Sequence, residues 1–295
     1  MLIGYIITVK LGGLLMGKLI TRDGTQIAFE KNGNGTPLIM LHALSMNLAA
    51  FHSTVEQLKN DFKIYSIDSR GHGKSDKPTE ISIQEHINDI IDLMDAEGIE
   101  SAYIVGHDMG GVIAQELTIQ QPKRVKKLIL ISSISNKGKQ PLIKLIAKHR
   151  DKVAGFSKEE AMLILFNEIF YNTDTTFKWY QEVKKYYRMT EEQDAISVRT
   201  INGINIESDD IKVPTLIIKG KHDPFLDEDE TNHIKNAHTE LFENSGHAPF
   251  IEESEKFKKV VTKFLKQCTS LINLINITPF RFFSKLIQLR RVGSR

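Results

Sequence analysis

With 295 residues, 41% of them apolar and 26% charged, the chain has an ordinary globular composition, long enough for one large α/β domain or two small ones. A net charge of +2 gives no case for nucleic-acid binding by the whole surface. The single cysteine, Cys268, rules out an internal disulfide and fits a reducing, cytoplasmic compartment, and no Cys/His cluster has metal-ligand spacing.

Met1 to Leu19 is largely apolar, but Lys10 interrupts it and no basic region precedes the run as in a signal peptide. It also falls short of the about 20 mostly apolar residues of a spanning helix. Residues 1–17 therefore read as an extension outside the fold, with Met16 as an alternative start and membrane contact as the second reading. Lys18 to Phe29, turning at Asp23-Gly24, reads as an opening hairpin of alternating polarity. Apolar runs at Leu38–Leu41, Ile64–Ile67, Ala102–Val105, Leu128–Ile131 and Leu216–Ile218 read as buried strands. Helical patterns at Ile83–Glu97 and Val112–Gln121 separate some of them, which implies a mostly parallel sheet with helices on both faces.

Residues 135–209 break that rhythm with helical patterning rich in Lys, Glu and aromatics, and they read as a helical cap over the sheet's carboxyl edge. A core of residues 18–134 and 210–267 follows from this division, closing with a strand near Leu241-Phe242 and a helix from Glu253 to about Leu265. Residues 268–295 are basic and apolar without any acid, a pattern suited to an anionic membrane surface. Pro279 interrupts the helical period, so a loosely docked extension is the preferred reading.

The chemistry concentrates at Gly106-His107-Asp108-Met109-Gly110-Gly111, set between a strand pattern and a helix pattern. Glycines flanking one polar residue in that setting permit a sharp turn that lifts the central side chain above the sheet. An aspartate there is ionised at neutral pH and needs no base to become a nucleophile. Attack on an ester carbonyl would give an unfavourable anhydride. Attack on a saturated carbon, by halide displacement or epoxide opening, leaves an alkyl ester that water can hydrolyse.

This arrangement resembles the nucleophile elbow of the α/β-hydrolase superfamily, and four further segments resemble its landmarks in order. They are Leu38 to Leu44, Asp68-Ser69-Arg70-Gly71-His72-Gly73-Lys74-Ser75, Thr215 to Pro224, and Ser245-Gly246-His247-Ala248-Pro249-Phe250. The resemblance implies an α/β-hydrolase fold, a nucleophile at Asp108, an acid at Asp223 and a base at His247. It also implies backbone oxyanion donors at Leu44 and Met109, a small-molecule substrate, and no metal or organic cofactor. Epoxide hydrolases and haloalkane or haloacetate dehalogenases carry Asp in this elbow.

Three features depart from those enzymes. Met109 stands where they place Trp or Arg; Trp179 in the cap is the candidate substitute donor to a leaving halide, with aromatic packing under the lid the preferred reading. His42-Ala43-Leu44-Ser45 replaces the H-G-x-P of epoxide hydrolases. The candidates for the acid that protonates an opening epoxide are a pair among Tyr171, Tyr180, Tyr186 and Tyr187, with packing on the helices and hydroxyls at the surface the preferred reading. The segments Asp68 to Pro78 and Gly110 to Pro122 resemble the esterase and enol-lactonase branch, where Ser fills the elbow. An esterase-like or lactonase-like hydrolase with an altered nucleophile, or a binding protein of the same fold, is the alternative. His42, His72 and His107 read as structural, and His222 as a solvated loop residue.

Overall fold

The structure, a computed structural model, describes residues 4–11, 14–133, 141–186, 189–201, 204, 206, 208–226, 234–235 and 237–267. The strands are β1 (Tyr5–Leu11), β2 (Leu14–Ile20), β3 (Gln26–Asn32), β4 (Thr36–Leu41), β5 (Phe62–Ile67), β6 (Ala102–His107), β7 (Val125–Ile131), β8 (Thr215–Gly220) and β9 (His238–Phe242). They form one sheet in the order β1-β2-β3-β5-β4-β6-β7-β8-β9. The first three strands and the β3–β5 pair are antiparallel, and every pair from β5 to β9 is parallel. The α/β-hydrolase fold class implied by the sequence is what the chain adopts.

The apolar runs alternate in the faces they bury, as a pleated strand requires. Leu38 and Met40 face one core with Val105, Ile129 and Ile218, covered by α1 (His52–Leu58) and other helices. Ile39 and Leu41 face a second core with Ile104 and Leu130, covered by α2 (Ile83–Ala96) and α3 (Met109–Gln120). Each such side chain contributes roughly 1.5–3 kcal/mol by leaving water. Helix α2 starts on a capping box, with Ser82 and Glu85 each bonding the other's backbone N–H.

Between β7 and β8 the described residues form α4 (Pro141–Lys148), α5 (Arg150–Val153), α6 (Lys158–Ile164), α7 (Phe166–Ile169), α8 (Thr173–Lys184) and α9 (Glu191–Ile201), with no strand among them. Short α10 (Pro249–Glu252) and α11 (Ser254–Lys266) follow β9. Helix α11 packs Phe257, Val261 and Leu265 into the first core. No helix of the described residues is long and apolar enough to cross a membrane. Residues 268–295 lie outside the described residues, and so does the amphipathic pattern read there.

The N-terminal reading needs correction. Tyr5–Leu11 is not an extension outside the fold: it pairs with Leu14–Ile20 across seven positions, from Tyr5↔Ile20 to Leu11↔Leu14, and adds an edge strand to the sheet. Met16 lies inside β2, opposite Glu30 of β3. Gly17 of β2 lets the Phe29 ring lie against the strand, where a Cβ would come within 2.1 Å of it.

Arg70 organises the region beneath the Asp68–Ser75 turn. Its buried guanidinium bonds Asp89 through Nε at 2.7 Å and Nη2 at 2.5 Å, and reaches Asp23 at 3.0 Å and Glu85 at 3.2 Å. Arg70→Met strips the buried Asp89 of its counter-charge and is expected to cost about 3–5 kcal/mol. Urea unfolding measures that loss, and an unchanged midpoint would show the cluster to be dispensable.

Candidate active site

In an open parallel sheet, ligands bind beyond the carboxyl ends of the strands, where the strand order reverses. Here that point lies between β4 and β6, because β4 pairs with β5 on one side and β6 on the other. Leu44 follows β4, Asp108 follows β6, Asp223 follows β8 and His247 follows β9. The topology delivers all four to one end of the sheet.

Asp108 sits at the N-terminus of α3 with φ 49° and ψ −113°, a left-handed conformation strained for a residue with a side chain. Its neighbours permit it. A Cβ on Gly106 would come within 2.3 Å of the Gly110 carbonyl oxygen, and one on Gly110 within 2.1 Å of that of Leu41. These glycines let α3 lie against β6 and β4. The turn is fastened by Gly110 N–H donating to the His42 carbonyl at 3.1 Å and Ser133 Oγ donating to the Asp108 carbonyl at 3.0 Å.

The Asp108 carboxylate points at the amides assigned as oxyanion donors. Leu44 N–H donates to Oδ2 at 3.1 Å, and the adjacent Met109 amide also favours the charged carboxylate. Burial raises the Asp108 pKa, and the nearby Asp223 charge adds to the rise. His247 and the two amides oppose it. The result is a poorly solvated carboxylate held by directed donors, at a helix end that favours negative charge.

His247 Nδ1 donates to Asp223 Oδ2 at 2.9 Å, which fixes the tautomer and leaves Nε2 as the proton-accepting nitrogen. Asp223 Oδ1 also accepts the Phe225 amide at 3.0 Å. Burial alone would lower the His247 pKa. The charge and hydrogen bond of Asp223, with the charges of Asp108 and Glu252, outweigh it and raise the value above the ordinary 6.5. The imidazole lies against His107 and the Phe225 ring, with centroids at 4.9 and 4.7 Å.

The other histidines are occupied elsewhere. His107 Nε2 donates to the His247 carbonyl at 2.9 Å, and burial drives its pKa well below 6.5. His42 bonds the Ala43 carbonyl at 2.8 Å and accepts the Ser69 amide at 3.1 Å. Burial, with His72 nearby, lowers the His42 pKa to about 3, so it is neutral. His72 Nδ1 lies 3.1 Å from the Arg70 carbonyl. His222 is exposed and stacks on Tyr171 at 4.4 Å.

The cap residues expected to meet substrate are placed otherwise. Trp179 Nε1 donates to the Ala50 carbonyl at 2.9 Å, and its ring packs edge-on against Phe170 and Phe250, so its one donor is not turned to a halide. Tyr171 is exposed on His222. Tyr180 packs on Phe166 under the Lys184 ammonium, and Tyr186 packs on His52 with Lys74 over its ring. Tyr187 lies outside the described residues. The Trp179 indole and the Tyr171, Tyr180 and Tyr186 rings are thus each held by packing partners, the reading the sequence favours for aromatics on these helices.

The helices between β7 and β8 instead bond the loops that follow β4 and β9 through Ser45, Asn47 and Glu252. Ser45, itself at φ 58° beside Leu44, donates to the buried Asp194 of α9. Asn47 Nδ2 donates to the Val183 carbonyl of α8 at 3.0 Å. Glu252 binds four backbone amides around His247 and the start of α8.

Residues 36–254 match the model of the alpha/beta hydrolase fold family, most of the chain. The chain therefore belongs to that family, and is a hydrolase of the α/β type. Over 274 residues it is 29% identical to AB hydrolase superfamily protein YisY of Bacillus subtilis, covering 84% of this chain and 99% of that protein. It is 26% identical over 259 residues to the pimeloyl-[acyl-carrier protein] methyl ester esterase of Vibrio campbellii, covering 81% and 98%. Among solved structures, the enol-lactonase of Burkholderia xenovorans superposes with a TM-score of 0.73 at 21% identity, over 85% of this chain and 100% of that one.

Proposed function

We propose that the protein hydrolyses an epoxide or an organohalide through an alkyl ester on Asp108. The observation that carries this reading is the bond from Leu44 N–H to Asp108 Oδ2 at 3.1 Å. In a serine hydrolase the oxyanion hole awaits an oxygen of the substrate. Here it already holds an oxygen of the protein, the one that becomes the carbonyl of an ester formed on Asp108.

In the first step Asp108 Oδ1 attacks a saturated carbon. The carbon–halogen or epoxide carbon–oxygen bond breaks, and its electron pair leaves on the halide or on the ring oxygen, which takes a proton from water. In the second step His247 Nε2 removes a proton from water as the water oxygen attacks Cγ. The negative charge collects on Oδ2, against the amides of Leu44 and Met109. Collapse breaks the Cγ–Oδ1 bond, the alkoxide takes the proton from His247, the alcohol leaves with Oδ1, and the Asp108 carboxyl loses the remaining water proton to solvent, which restores the carboxylate.

The second reading is ester or lactone cleavage with water attacking substrate directly. It is favoured by the Vibrio esterase relative and by the sequence resemblance to the Ser-type branch.

Oxygen labelling separates the two. In a single turnover with enzyme in excess in H2(18)O, the proposed mechanism leaves the label on Asp108, and the alcohol carries unlabelled protein oxygen. A first-turnover product containing 18O, with Asp108 unlabelled, would overturn it.

A further inference from the structure

One buried carboxylate on α10 carries more of the site than its place in the chain indicates. Glu252 Oε2 accepts the amides of Tyr171 at 2.7 Å and Asn172 at 2.8 Å, which lead into the cap helix α8. Its Oε1 accepts the amides of Gly246 at 3.0 Å and Ala248 at 3.2 Å, the two neighbours of His247. The His247 amide itself donates to the carbonyl of Ile169 in α7 at 3.0 Å. A Cβ on Gly246 would come within 2.3 Å of that same carbonyl oxygen, so the histidine loop and the cap touch backbone to backbone.

We propose that Glu252 is the positioning residue of the site, a clasp whose two oxygens tie the amides flanking His247 to those that open the cap helix. His247 is then held against Asp223 and over Asp108 only while the cap keeps this register. The inference rests on the assignment of His247 as the base. A carboxylate is the group this place requires, because four donors converge on two oxygens and each needs an acceptor in a buried setting. An amide oxygen can serve two of them, while the amide nitrogen would face the other two donor to donor.

Glu252 also acts on the imidazole through its charge. The groups bearing on His247 are the carboxylates of Asp223, Asp108 and Glu252 and the buried ring of His107. Among the carboxylates, Glu252 alone is neither the nucleophile nor the imidazole's hydrogen-bond partner. Its removal therefore changes the proton affinity of His247 without touching the reacting atoms.

The test is Glu252→Gln in the full chain, read first without any substrate. Titrating 13C-labelled histidine by NMR should show the His247 pKa lower than in the wild type. Hydrogen exchange should show Tyr171, Asn172, Gly246 and Ala248 losing protection together. With a turned-over substrate, kcat should fall by about 10²-fold with KM little changed, the scale of a misplaced catalytic group. Wild-type exchange supplies a measure that needs no variant: the four amides should open in one event. An unmoved His247 titration, or Gly246 and Ala248 staying protected while Tyr171 and Asn172 exchange freely, would overturn the clasp. Neither readout involves turnover, so failure of the Asp108 ester leaves this result standing, and the reverse holds too.

Discussion

His247→Gln protein mixed with a reactive epoxide or bromoalkane should gain a stable adduct on Asp108 and release product about 10²–10⁴-fold more slowly than the wild type. Attack by the Asp108 carboxylate needs no base, so the first step survives. The second step loses the group that takes the proton from water. Glutamine keeps a donor for Asp223, the partner that His247 Nδ1 holds at 2.9 Å, so the loop retains its anchor. Intact mass followed by peptide mapping reads the result directly. Wild-type release rates in the variant would remove His247 from the mechanism.

The electrostatics fit one imidazole to both steps of the proposed mechanism. In the resting site the Asp108 charge is among those that raise the His247 pKa above 6.5. In the proposed mechanism, forming the ester would remove that charge just when a neutral base is needed. The same step relieves the cost of keeping Asp108 ionised in a buried place, which burial had opposed. On that mechanism, ester formation would lower the proton affinity of the histidine assigned to act next.

The parts of the site that could be read in the sequence are those whose signal is local. The glycines around Asp108 announce the turn because each stands where backbone approaches to about van der Waals distance or less. The strands announce themselves as short apolar runs, since a parallel sheet is buried on both faces. The edge strand Tyr5–Leu11 is hidden because an apolar run at a chain start has the same composition as a targeting segment. Gly12-Gly13 between two such runs is a hairpin signal in its own right.

Other parts depend on orientation, which no spacing encodes. Trp179 is a good donor by composition, yet its indole is turned to Ala50 by packing between the cap and the loop after β4. Glu252 is invisible for a different reason. All four of its partners are backbone amides, so no second side chain in the sequence points to it.

Asp108→Ser should exchange one chemistry for the other. The carboxylate oxygen now held by Leu44 N–H at 3.1 Å would be gone, leaving the Leu44 and Met109 amides open to a substrate carbonyl. The serine hydroxyl would stand at the same strained elbow with His247 as its base. Hydrolysis of an aryl acetate should therefore rise by at least about 10²-fold over the wild type, the scale of an oxyanion-hole contribution, with a burst as acyl-enzyme forms. Turnover of epoxides or organohalides should vanish. A serine that attacked a saturated carbon would form an ether, which offers water no carbonyl to attack and the oxyanion hole no developing charge. A folded variant with no gain in ester cleavage would mean that the Leu44 and Met109 amides are not aimed at an oxyanion at all. The reading of Asp108 Oδ2 as a pre-seated ester carbonyl would fall with them.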